Sequence, residues 1–111
     1  MNDGKQPRFS DSVYEFTSMI PRGKVTTYGA LAKALGNPRA GRATGNALRA
    51  NPNPPHVVPC HRVVRSDGTV GGYSGQSRSK KKERLLQKEG VVVVGGRVDL
   101  ERFLFTSFKR G

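Results

Sequence analysis

Apolar residues in this chain recur in short helical stripes cut by glycine and proline. Val13, Phe16 and Ile20 fall at helical spacing, and Pro21-Arg22-Gly23 ends the run. Ser10 is placed to cap this first helix, with Phe9 stapling against Tyr14. A second helix is expected from about Thr27 through Leu31 and Ala34-Leu35 to a stop at Gly36-Asn37-Pro38. A third is expected from Ala40 to Ala50, ending before Asn51-Pro52. Two short helices joined by a Gly-Asn-Pro turn make a helix-turn-helix candidate. In the third helix Arg42, Asn46 and Arg49 stand among Gly41, Ala43, Gly45, Ala47 and Ala50. Small residues let a helix approach another surface closely, although Gly45 costs it ~1 kcal/mol relative to Ala. Arginine heads on so little bulk suit a DNA groove, and the same lack of bulk suits tight packing on a neighbouring helix.

Downstream the punctuation changes. Asn51 to Pro59 is too rich in proline for a helix and delivers the chain to Cys60-His61-Arg62-Val63-Val64. Ser66-Asp67-Gly68 reads as a turn and Gly71-Gly72-Tyr73-Ser74-Gly75 as a loop able to pass close to a ligand. Ser79 is placed to cap a helix with Leu85-Leu86 inward, Arg78, Lys80, Lys81, Lys82 and Arg84 on its exposed side, and a close at Glu89-Gly90. Val91 to Val94 is a short strand candidate, Gly95-Gly96 a turn, and Asp99 to Phe105 a final short helix. The expected fold is mostly α: a small helical domain with a winged-helix-like helix-turn-helix and a short β segment.

The 111 residues fit one compact domain, residues 1–111. At 34% hydrophobic residues the core is lean, but the composition is not that of a disordered chain. No apolar run approaches the ~20 residues of a membrane helix. The first eight residues carry no apolar stretch of a secretory signal, so an intracellular protein is expected. The single cysteine excludes an intrachain disulfide. Charge changes the picture most: 20 Lys and Arg face 8 Asp and Glu, for a net charge of +12. From Phe16 to Ser66 there is no carboxylate, while Arg22, Lys24, Lys33, Arg39, Arg42, Arg49, Arg62 and Arg65 all fall there. Such a field suits a polyanionic partner, and a solvated basic face that serves solubility is the alternative.

Cys60 sits beside His61 and Arg62. It is either a small buried hydrophobe or a thiol whose neighbours favour the nucleophilic thiolate. A metal site from His56, Cys60 and His61 is a poor set, because zinc takes four ligands, or three and a water. A cysteine protease would need a base and an orienting group, and these are the only two histidines.

Pro59-Cys60-His61-Arg62-Val63, preceded by Arg42-Ala43-Thr44-Gly45-Asn46-Ala47-Leu48-Arg49-Ala50-Asn51-Pro52, resembles the O6-alkylguanine-DNA alkyltransferases. The likeness starts at Pro21-Arg22-Gly23-Lys24-Val25 and Thr27-Tyr28-Gly29, and runs through Gly72-Tyr73-Ser74-Gly75 and Leu85-Leu86 to Glu89-Gly90. It implies a helix-turn-helix in the minor groove, with Ala43, Gly45, Asn46 and Arg49 on the helix that meets DNA. Arg42 would enter the base stack in place of an extruded nucleotide, and Tyr28 would help to rotate it out and bond the flipped guanine. Extrusion is needed because the alkylated oxygen lies inside the duplex. Cys60 would be the nucleophile, His61 the base acting through a water, Glu89 the carboxylate that orients His61, and Asn51 the hinge between helix and active-site loop. Backbone at Val63 and Cys60, with Tyr73 and Ser74, would contact the base edges. The resemblance implies no cofactor and no metal, and a monomer acting on duplex DNA that carries O6-alkylguanine, off the membrane, each molecule being consumed in one transfer.

Three departures bear on this. The family's usual N-terminal α/β domain has no counterpart in this sequence. Gln76 stands where a second glycine is expected after Gly75, and the stretch to Leu85 is about two residues longer than is usual in the family. Gly96-Arg97-Val98-Asp99-Leu100 is similar to the alkyltransferase-like proteins, which usually carry Trp at the position of Cys60, bind alkylated DNA and signal to nucleotide excision repair. Two functions are therefore expected to compete: a single-turnover methyltransferase, and a non-enzymatic lesion sensor with excision-repair proteins as partners.

Overall fold

The computed structural model describes residues 8–71 and 80–109. Helix α1 spans Phe9–Thr17 and buries Val13, Phe16 and Thr17. It starts earlier than the serine signal suggests. Arg8 is extended, and its carbonyl accepts from Ser12 N at 3.2 Å, so Ser10 lies inside the first turn. The expected serine cap and Phe9 staple are thereby corrected, and Phe9 is exposed. Strand β1 (Thr26–Thr27) leads into α2 (Tyr28–Ala34), where the Thr27 side chain accepts from Ala30 N and caps the helix. Helix α3 spans Gly41–Arg49, flanked by Ala40 and Ala50 as the glycine and proline punctuation indicated. The pair α2–α3 is the helix-turn-helix, and the Tyr14 hydroxyl on α1 braces it by donating to the Ala47 carbonyl at 2.8 Å.

The proline segment descends to a 3-10 turn at Cys60–Arg62 and then to β2 (Val63–Val64). β1 and β2 pair in parallel, Thr26 opposite Val63 and Thr27 opposite Val64. This pairing lies outside the expected β segment, since two-residue strands leave no period to read. It places the start of α2 beside the cysteine turn.

Helix α4 spans Lys80–Lys88, so the proposed Ser79 cap and the Gly71–Gly75 loop beyond its first residue lie outside the described residues. The expected strand over Val91 to Val94 narrows to β3 (Val93–Val94), because Val91 is drawn into the core where its N–H closes the end of α4 on the Leu86 carbonyl at 3.0 Å. β3 pairs antiparallel with β4 (Arg97–Val98) around Gly95-Gly96. Helix α5 is Leu100–Phe103, capped by Asp99. It stops short of Phe105 because that residue extends and donates from its N–H to the Val25 carbonyl at 2.7 Å.

Two apolar clusters hold these elements. Val13, Phe16, Ile20, Leu31, Leu48 and Val63 seat the three N-terminal helices, with Tyr28 and Cys60 packed at the margin. Val25, Val64, Val70, Leu86, Val91, Val98 and Phe103 join α4 to the hairpin and α5. β2 contributes Val63 to one and Val64 to the other, so the cysteine turn sits at their seam. Gly68 has φ +88°, and a Cβ there would meet the Val98 carbonyl oxygen at 2.6 Å, so the turn after β2 admits only glycine. Among the described residues no helix is long and apolar enough to cross a membrane.

Candidate active site and nucleic-acid face

The thiol of Cys60 is half-buried at the start of the 3-10 turn. Asn51 reaches it from the end of α3, with Nδ2 at 3.6 Å from Sγ. The same side chain knits its own turn: Oδ1 accepts from the Asn53 N–H and from Asn53 Nδ2, both at 2.9 Å. Asn51, the second residue beyond the small-residue helix, is thus fixed in place and touches the thiol.

His61 is buried, and its Nε2 lies 3.1 Å from Glu89 Oε1 at the end of α4. A carboxylate only accepts, so this contact puts the imidazole proton on Nε2 and the lone pair on Nδ1. Burial lowers the His61 pKa. The hydrogen bond and charge of Glu89 oppose that, and Arg62 and Lys82 add to it. The imidazole is neutral at neutral pH, as a base must be.

Lys82 corrects the sequence reading. Expected on the exposed side of α4, it is 1% exposed, and its Nζ donates to the Val63 carbonyl at 2.7 Å and stands 5.8 Å from the centre of the Tyr28 ring. The signal was present, since Lys82, Leu85, Leu86 and Glu89 share one helical stripe. Burial pushes Lys82 down to about 8, opposed by Cys60 and assisted by Arg65. Burial likewise raises Tyr28, as does Cys60, while Arg65 and Arg49 pull it down. The phenol is therefore a neutral donor at neutral pH.

Helix α3 turns Thr44 and Leu48 inward and leaves Arg42, Ala43, Asn46 and Arg49 exposed. Gly45 lies over Tyr28, with a Cβ position 3.8 Å from ring carbons Cδ1 and Cε1. The basic face thus runs from α3 across Tyr28 toward Arg65. Val63 is buried behind it. Tyr73 and Ser74, and with them Gln76, lie outside the described residues. Among the described residues no three His, Cys, Asp or Glu side chains gather as metal ligands.

A family model described as the DNA-binding domain of 6-O-methylguanine DNA methyltransferase matches residues 8–91. The chain belongs to that family. Against the rat methylated-DNA–protein-cysteine methyltransferase (Rattus norvegicus) it is 43% identical over 88 residues, covering 78% of this chain and 41% of that one. Against the DNA base-flipping protein of Escherichia coli K12 it is 40% identical over 100 residues, covering 89% and 75%. The crystal structure of S. pombe Atl1 with damaged DNA containing O6-carboxymethylguanine superposes with a TM-score of 0.78 at 29% identity, covering 91% and 97%. The chain spans between 30% and 44% of the length of the methyltransferase relatives it matches. Within this family the likeness is thus shared between methyltransferases and smaller DNA-binding relatives.

Proposed function

We propose that residues 1–111 act as one unit that binds duplex DNA, extrudes an O6-alkylguanine and transfers the alkyl group to Cys60. The reading is carried by one observation: a half-buried thiol bonded by Asn51 at 3.6 Å adjoins a neutral histidine that a carboxylate holds at 3.1 Å. Arg42 is exposed on α3 and free to enter the stack, and Tyr28 stands between α3 and Lys82, where an extruded base would arrive. The thiol proton passes through a water to His61 Nδ1, and the thiolate sulfur attacks the alkyl carbon. The carbon–O6 bond breaks and guanine leaves with its electron pair, taking up through water the proton that His61 accepted, while the neutral Tyr28 phenol donates a hydrogen bond to the base. The thioether is stable, so each molecule acts once, without a cofactor, on DNA inside the cell.

A second reading is favoured by the Atl1 and base-flipping likenesses. The chain would bind the lesion and present it to excision-repair proteins, with the thiol idle. Intact-protein mass spectrometry after incubation with O6-methylguanine duplex decides between them. The first reading expects a gain of one methyl group on Cys60, absent from Cys60→Ser, which still binds the lesion. Lesion-selective binding with no mass change would establish the second.

A further inference from the structure

Arg62 stands in the sequence among eight basic residues with no carboxylate near them, yet it is not part of the basic surface. Its Nε donates to Glu89 Oε1 at 2.8 Å and its Nη2 to Oε2 at 2.6 Å, while Nη1 donates to the Ile20 carbonyl at 2.7 Å. The side chains of Arg62 and Glu89 keep only 14% and 9% of their exposure. A guanidinium fork bound to both oxygens fixes the plane of a carboxylate as well as its position. The oxygen that takes Nε is also the one 3.1 Å from His61 Nε2.

The end of α4 is gripped at the same place by the turn after α1. Arg22 Nη2 donates to the Lys88 carbonyl at 3.0 Å. Gly23, at φ +89°, lies so close to the Glu89 carbonyl that a Cβ would sit 3.2 Å from it. Residues Ile20 to Gly23 therefore brace Glu89 through its neighbour, through its own backbone and through Arg62.

We propose that Arg62 is a positioning residue for proton transfer at His61, holding Glu89 ionised and in plane so that Glu89 orients the imidazole without taking its proton. Burial alone would raise the Glu89 pKa. The hydrogen bonds from Arg62 and His61, with their charges, outweigh burial and hold it below the usual carboxylate value. Among the described residues the charged groups acting on His61 are Lys82 from α4, Glu89 directly after its end, and Arg62 from its own turn. Loss of Arg62 deletes one lowering charge and leaves Glu89 to act on His61 unopposed by its closest cation. The imidazole then keeps its proton to higher pH, and an imidazolium cannot accept the proton of the thiol.

The kinetic part of this inference rests on the alkyl-transfer reading, and the titration part does not. Wild type, Arg62→Met and Arg62→Lys are compared by NMR titration of the His61 ring, with the exposed His56 ring as internal control. Single-turnover methyl transfer is followed in parallel from about pH 6 to 9. In Arg62→Met, His61 is expected to titrate at higher pH. Transfer should fall about tenfold or more near neutrality and recover toward the alkaline side, with lesion binding retained. Arg62→Lys, which keeps the charge and loses the fork, is expected to fall between, and it decides the matter alone if the methionine variant does not fold. An unmoved His61 midpoint, or a rate lowered equally at every pH, overturns the positioning role. A wild type that transfers no methyl group sinks the alkyl-transfer reading, while the titration still decides what Arg62 does to His61.

Discussion

Lys82 carries its ammonium into the seam between the two apolar clusters, bonded to the Val63 carbonyl and 1% exposed. In the folded chain it gives up its proton near pH 8, against 10.5 for an ordinary lysine. Below pH 8 both folded and unfolded states hold that proton, and the folded state bears the full cost of a buried charge. Between pH 8 and 10.5 the unfolded state binds more protons, so this residue makes stability rise with pH. Across that window wild type should gain roughly 2–4 kcal/mol relative to Lys82→Met. Urea unfolding at several pH values reads the difference, and parallel curves for the two proteins would show that Lys82 stays charged. The same residue links stability to the site. Its carbonyl partner belongs to β2 directly after the cysteine turn, so the charge that strains the core also fixes the backbone beside the thiol.

Helix α3 shows how local sequence becomes a surface. Its limits were legible because glycine, asparagine and proline bracket it, and its exposed face because Arg42, Asn46 and Arg49 recur at helical spacing. The start of α1 was not, since the helix begins directly after Arg8 without a side-chain cap and takes Ser10 into its first turn. Nor was the pairing of Arg62 with Glu89, which joins residues 27 apart that no periodicity relates. His61 and Glu89 were matched only through the resemblance to a family, and the structure places them 3.1 Å apart. Gly45 offers a test at this scale. A Cβ there would rest 3.8 Å from the Tyr28 ring, an ordinary contact, so packing does not require glycine. Gly45→Ala should stabilise the free protein by up to about 1 kcal/mol through helix propensity. If α3 seats against DNA, the added methyl should weaken binding to duplex at the same time. Thermal unfolding and a binding titration on one variant would then move in opposite senses. A gain in both would take α3 off the interface.

At the scale of the molecule, net charge overstates what a partner would meet. Of the eight basic residues between Phe16 and Ser66, Arg62 is paired with Glu89, which leaves seven, all exposed. They do not share one purpose: Arg22 and Lys24 turn toward carbonyls of Lys88 and Arg102, whereas Arg42 and Arg49 stand on α3 and Arg65 lies near Tyr28. About four to six phosphate contacts are therefore expected, and log affinity for duplex should fall with log salt at a slope of about −4 to −5. Fluorescence anisotropy over a salt series measures it. Arg49→Ala should lower the magnitude of the slope by about 1 if α3 meets the duplex, because its charge is exposed on that helix. Arg62→Met should leave the slope as it is, because its charge is already neutralised inside the fold. A slope near zero in wild type would remove duplex DNA as the partner. Equal losses from Arg49→Ala and Arg62→Met would mean instead that the pair with Glu89 opens when DNA binds.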